Sequence, residues 1–200
     1  MIWDELTSPE IAALDRNIPV VLLIAATEQH GPHLPLATDR LIGEHFCREV
    51  EKRISDEVLF LPSIAVACSE HHMELSGSLS LTHDTFLRQV EETIASAREH
   101  GFHRFLLFNS HGGNQGIAQV WVERFGKRHP ECQILSLTWW KLALQDLREL
   151  NESGFGGVGH AGEFETSLML LIAPHLVRKD QFEAGNPPES PQWALSLIHI

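Results

Sequence analysis

Residues 18–26, IPVVLLIAA, form an unbroken apolar run rich in β-branched side chains and of strand length. Such a run is expected to be a strand buried on both faces, because a half-exposed strand alternates apolar and polar residues. FLLFNS at 105–110 reads the same way, and VLFLPSIAV at 58–66 and QILSLTW at 133–139 are similar. Strands buried on both faces need cover on both faces. Five helices are expected to supply it, over Asp39 to Arg53, Thr82 to His100, Gln115 to Lys127, Lys141 to Leu150 and Glu163 to Ile172. In the second of these, Phe86, Leu87, Val90, Ile94 and Ala97 recur at helical spacing, and Gly101 stands where a helix commonly ends. Strand, helix and strand in succession predict an α/β fold whose sheet is mostly parallel.

No repeat or flexible linker divides residues 1–180, which are expected to form one domain. After Asp180 the stretch QFEAGNPPESPQ is rich in turn residues, and the chain then finishes in the apolar run WALSLIHI. Residues 181–200 are therefore expected to be a loop-rich tail, truncated ahead of the element it would pack against. A formal net charge of −12, with only 15 Lys and Arg, argues against a nucleic-acid partner, since that grip is built from cations on phosphates. Cys47, Cys68 and Cys132 are odd in number and lack C-x-x-C spacing, so neither a disulfide framework nor a thiolate zinc site is expected. The first twenty residues lack a basic and then apolar leader, and no run reaches the ~18 apolar residues of a membrane span. A cytoplasmic protein without a membrane partner is the expectation.

Thirteen histidines accompany 27 carboxylates, a modest pointer to metal that only position can sharpen. TEQHGPHLPLATD at 27–39 follows the first strand, at the sheet edge where ligands of open α/β folds gather. Glu28 and His30 are two apart, so an extended exit from the strand points them the same way. Pro32 and Pro35 stiffen the loop, and Asp39 re-enters at the start of a helix. The plainer reading makes Glu28 and His30 ordinary loop residues and Asp39 a helix-terminal acid. NSHGGNQG at 109–116 also joins a buried strand to a helix and brings His111 to the same edge, with Gly112 and Gly113 leaving backbone N–H groups accessible to a substrate. GFGGVGHAGEFETSLMLLIAP delivers His160, Glu163 and Glu165 after a glycine-rich approach. Helix-terminal stabilisation accounts for the two acids but not for His160 or the glycines. His71 and His72, in SEHHMELSGSLSL, either line the pocket, with His72 the candidate substrate contact, or belong to a surface loop.

These three segments, in this order, closely resemble the three motifs of the creatininase family, and the resemblance spans roughly residues 10 to 180. It implies a three-layer α/β/α sandwich, a site for two divalent ions (zinc, manganese or iron), hydrolysis of an amide by metal-activated water, and a homo-oligomer, often a hexamer. By match to the motifs, Glu28, His30, Asp39 and His111 would be metal ligands, with Asp39 bridging. One position departs: creatininase itself carries a ligating carboxylate two residues after the motif histidine, where this chain has Gly113. Glu163 is expected to replace it, leaving His160 or Glu165 as the catalytic residue that protonates the departing nitrogen. The HAGE-x-E form is similar to that of the family's formamide hydrolases and mycofactocin-precursor peptidases, so the expected substrate is a small-molecule amide or formamide other than creatinine. Two alternatives stand beside it: a peptidase acting on a modified peptide, and a non-catalytic binding protein with a structural metal.

Overall fold

The structure, a computed structural model, describes residues 1–154, 157 and 159–183. Four strands, β1 (Val20–Ile24), β2 (Leu59–Phe60), β3 (Arg104–Asn109) and β4 (Gln133–Thr138), form one sheet in the order β2-β1-β3-β4, with every pair parallel. All five residues of β1 are buried, as an apolar run without alternation requires. Helix α1 (Ser8–Ala13) precedes the sheet, α2 (Thr38–Arg53) joins β1 to β2, α3 (His83–Glu99) joins β2 to β3, and α4 (Gln115–Arg128) joins β3 to β4. Three more follow: α5 (Trp139–Leu142), α6 (Leu144–Leu150) and α7 (Glu163–Ile172).

Successive residues of β1 face opposite sides and divide the core. Val20, Leu22 and Ile24, with Phe105 and Leu107, pack against Phe86, Val90 and Ile94 of α3 and Trp121 and Phe125 of α4. Val21 and Leu23 meet Phe60 and Cys47 of α2 on the other face, where Ile42 also joins α2 to Phe164 and Met169 of α7. Helices on both faces of a parallel sheet make the three-layer α/β/α sandwich. Each fully buried large apolar side chain in these layers contributes on the order of 1.5–3 kcal/mol relative to exposure.

The expected helix over 82–100 forms with Thr82 as its cap, accepting the Thr85 N–H at 3.3 Å, and with Gly101 beyond its end at φ +95°. Two expectations are corrected. The run 58–66 is a strand only at Leu59–Phe60, because Pro62 offers no N–H; the chain detours and rejoins β1 at Ile64, whose N–H reaches Leu23 O at 2.9 Å. The helix expected over 141–150 begins earlier, at Trp139, whose ring packs 5.5 Å from Phe46, and is divided at Ala143. The expectation for the apolar end at 193–200 lies outside the described residues. Among the described residues no helix is long and apolar enough to cross a membrane.

From β1 the chain moves outward to β2 and then returns past β1 to β3, so the winding reverses between β1 and β3. The reversal falls at the carboxyl ends of these two strands, the position at which open α/β folds bind their ligands.

Candidate metal centre

Beyond β1 the chain runs on through Ala25 and Ala26 and folds back on itself. Glu28 N–H donates to Leu36 O at 3.0 Å, His30 bridges Leu34, and Gly31 makes the turn at φ +65°. Thr38 Oγ1 closes the loop onto Pro35 O at 2.7 Å, which sets Asp39 in the first turn of α2 beside His30. β3 brings His111 to the same place. Asn109 brackets it, accepting its N–H at 3.1 Å and donating to its carbonyl at 2.8 Å, while Ser110 Oγ donates to Asp39 O at 2.7 Å. Asn114 ties the two strands' loops together by donating to Ala25 O at 3.1 Å. These three polar residues were not singled out in the sequence; their signal was the NSHGGN string itself, polar yet attached to a buried strand.

Four side chains expected at the site meet here, all buried. His111 Nε2–H donates to Cys68 O at 2.9 Å, which leaves Nδ1 facing Glu28 Oε1 at 3.1 Å and Asp39 Oδ2 at 2.9 Å. His30 donates from Nδ1 to Glu28 O at 3.1 Å and turns Nε2 to Asp39 Oδ1 at 3.0 Å. Asp39 thus has one oxygen toward each histidine. Glu165 completes the second side, its Oε2 lying 3.7 Å from His30 Nε2 and accepting the Ala161 N–H at 2.6 Å. His160 packs against His30 with the rings tilted by 35° and their centroids 4.2 Å apart, and places Nδ1 3.5 Å from Glu28 Oε1. His72 is also enclosed, with Nε2 4.0 Å from Glu28 Oε2, and the ring of His71 stacks on that of His111 at 5.8 Å. The pair thus packs against the cluster, with His72 buried and His71 half-buried.

Glu163 is a correction. Its carboxylate accepts the N–H groups of Glu152 and Ser153, at 3.1 and 2.7 Å, and the Ser153 hydroxyl at 2.5 Å, and it takes no part in the cluster. Helical phase explains the divergence: residues two apart on a helix differ by about 200°. Glu165 lies one turn before the fully buried Met169, whereas Glu163 lies one turn before the exposed Ser167. Gly112 and Gly113 sit in the turn after His111. A Cβ at Gly113 would lie 2.5 Å from His111 Nε2 and well inside contact distance of Cys68 O, so the backbone packing itself excludes a side chain there.

The electrostatics are those of an anionic pocket with its own counter-charges. Burial pushes the Glu28 and Asp39 carboxyls up, but His111 and His30 outweigh it, and both end below the ordinary carboxylate range. Burial likewise opposes the charge on His30, yet Asp39 and Glu165 raise it to about 9, and against its burial the adjacent Asp39 and Glu28 carboxylates hold His111 well above its usual value. Burial raises Glu165 to about 7 and lowers His72 to about 4 and His160 to about 3, the nearby His30 charge adding to the last.

Glu28 Oε2, Asp39 Oδ2, His71 Nε2 and His72 Nε2 are buried and have no hydrogen-bond partner. Asp39 Oδ2 is 2.9 Å from His111 Nδ1 without hydrogen-bond geometry. Ligands ~2.1 Å from a shared ion at tetrahedral or octahedral angles lie about 3.0–3.4 Å apart, close to the spacing here. Glu28, His30 and Asp39 offer ligand atoms all within 4.8 Å of one another, as do His30, His160 and Glu165. An imidazole and carboxylate set without thiolate suits zinc, manganese or iron, so the residues fit a divalent ion.

The family profile described as creatinine amidohydrolase matches residues 4–198. The chain is 31% identical to the mycofactocin precursor peptide peptidase of Mycobacterium tuberculosis, over 91% of this chain and 70% of that protein. It is 28% identical to the creatinine amidohydrolase of Pseudomonas putida, over 87% and 72%. A solved creatinine amidohydrolase superposes with a TM-score of 0.85 at 26% identity, covering 95% of this chain and 79% of that one. With its profile matched along almost the whole length and its sheet shared with solved members, the chain belongs to the creatininase family of amidohydrolases, hydrolases acting on carbon–nitrogen bonds.

Proposed function

We propose that the protein hydrolyses the C–N bond of a small amide or formamide at a site for two divalent ions. The observation that carries this reading is the pair of buried, unpartnered carboxylate oxygens, Glu28 Oε2 and Asp39 Oδ2, facing imidazoles in one crevice. Glu28, Asp39 and His111 would hold one ion, and His30, Asp39 and Glu165 the other, with Asp39 shared. Glu165 would be the carboxylate ligand on the His30 side, while position 113, against His111, has no room for one. Similar solved creatininases described as a manganese form and as a Zn-Zn type support zinc or manganese.

A divalent ion bound there would supply a nucleophilic water at neutral pH, by lowering the water's pKa to about 7, and would polarise the carbonyl. The chain's own residues do the rest. Asp39, anchored at the start of α2, fixes the spacing of the two halves. His160 is neutral and offers Nδ1 to the space beside Glu28, where it can take a proton from the attacking water and deliver it to the departing nitrogen. Gly112 and Gly113 give a substrate close access to the backbone beside His111.

Gly113 in place of an acid, and 31% identity to a peptidase, favour a substrate other than creatinine and keep a modified peptide as the second reading. A cytoplasmic location and a homo-oligomer, a hexamer by the family resemblance, are part of the proposal. The test is elemental analysis of the purified protein followed by turnover assays on formamides, cyclic amides and short peptides. Bound metal with release of an amine from one of these classes is expected. Bound metal with no turnover on any would favour a binding protein and overturn the hydrolase reading.

A further inference from the structure

Gln29 stands between two of the proposed ligands, and its amide contacts neither of their side chains. Its Oε1 accepts the Gly31 N–H at 3.0 Å, which settles which end of the amide is oxygen. The nitrogen end therefore faces two imidazoles: His72 Nδ1 in hydrogen-bond contact, and His160 Nε2 at 2.9 Å. His160 Nε2 also lies 2.6 Å from the carbonyl oxygen of Gln29. A carbonyl can only accept, so His160 carries its proton on Nε2 and has no lone pair there for the amide. The amide N–H goes instead to His72 Nδ1, and His72 must then carry its proton on Nε2.

Two histidines of one tautomer thus present opposite functions to the crevice. His72 aims an N–H inward, buried and without a partner, 4.0 Å from Glu28 Oε2. His160 aims a lone pair inward from Nδ1, with the two rings 4.4 Å apart. A buried donor left unpaired is costly, which points to a partner arriving with the substrate. Resting on the amidohydrolase reading, we propose that Gln29 is a positioning residue that holds His72 in its Nε2–H form. His72 then donates to the carbonyl oxygen of the bound amide while His160, held by the backbone of the same residue, receives the proton. The side chain of Gln29 governs one histidine and its main chain the other.

Side-chain ¹H–¹⁵N correlation spectra of the zinc-loaded protein read both tautomers directly, and both rings are expected as Nε2–H. In Gln29→Glu the new carboxylate can only accept, so the His72 proton should move to Nδ1 while His160, bound to a backbone carbonyl, stays as it was. Calorimetry with acetohydroxamate, a small amide analogue, should show affinity falling about tenfold in that variant with zinc content unchanged. The wild-type spectrum needs no variant: His72 protonated at Nδ1 there would overturn the proposal. An unmoved His72 tautomer in a folded Gln29→Glu protein would do the same. Failure of the wild-type protein to take up zinc would bring down the metal reading as well, whereas zinc uptake with the wrong His72 tautomer sinks this inference alone.

Discussion

Gly113 invites an obvious experiment, the return of a carboxylate by Gly113→Glu, and the packing says it fails. The new Cβ would lie 2.5 Å from His111 Nε2, about 1 Å short of the ~3.5 Å at which carbon sits comfortably against another heavy atom. The other obstacle is the backbone carbonyl of Cys68, which cannot swing aside as a side chain can and is itself the acceptor for His111 Nε2–H. Overpacking of this kind costs about 1–3 kcal/mol, and loss of the His111 hydrogen bond adds about 1 kcal/mol. Together these amount to roughly 2–4 kcal/mol, or a fall in Tm of about 4–16 °C for a chain of this size. Gly113→Ala, which adds only the Cβ, should show most of that loss and should weaken metal binding by unseating His111. Calorimetric unfolding and elemental analysis of both variants measure it. A Gly113→Ala protein melting within 2 °C of wild type with full metal content would refute the packing argument, and a Gly113→Glu protein with tighter metal binding would show that position 113 can serve as a ligand.

Asp39→Ala should abolish metal loading. It should also destabilise the metal-free protein by about 3–5 kcal/mol, since His30 and His111 lose a buried counter-charge; retained metal by elemental analysis would count against a shared Asp39. Glu165→Gln should lower metal content and activity together, whereas Glu163→Gln should keep metal, because its carboxylate contacts only Glu152 and Ser153; the opposite pattern would reassign the ligand. His30 in the metal-free protein is raised to about 9 from an ordinary 6.5, so its contribution is fully present below pH 6.5 and is lost as pH rises to about 9. Stability of the metal-free protein attributable to His30 should therefore fall by up to about 3 kcal/mol across that window, while zinc affinity, which must displace the proton, rises. Denaturant titrations and chelator competition at pH 6.5, 7.5 and 8.5 check both slopes, and a flat profile in each would show that His30 is not protonated.

The sheet was legible because strands buried on both faces leave an unambiguous mark, and IPVVLLIAA and FLLFNS carry it. VLFLPSIAV misled because apolar content speaks to burial while Pro62 decides pairing. At the site, the meeting of the first two motifs on one sheet edge followed from each being attached to a strand end. The role of α7 did not. FETSLMLLI is apolar on most of its circumference, so its sequence offers no phase by which to tell an inward Glu165 from an outward Glu163. His71 and His72 were equally opaque, because their burial depends on distant contacts, such as Thr27 with Leu79 and Ala67 with Ser80, that fold their segment over the strand ends. Gln29 passed unnoticed as the spacer in an E-x-H pair.

The proposed ligands come from the ends of two strands and the first turns of two helices, and neighbours such as Gln29 and His160 stand 131 residues apart in sequence. No subset of the chain holds the site by itself, so an ion gripped there would bind the native ensemble and not the unfolded one. Occupancy then becomes a thermometer of the whole domain: at a free ion concentration 100-fold above Kd, binding adds about 2.7 kcal/mol to the unfolding free energy. By the same linkage, a core substitution far from the crevice, at Trp121 or Phe86, would register as lost metal at equilibrium once it populated the unfolded state, with every ligand still in place.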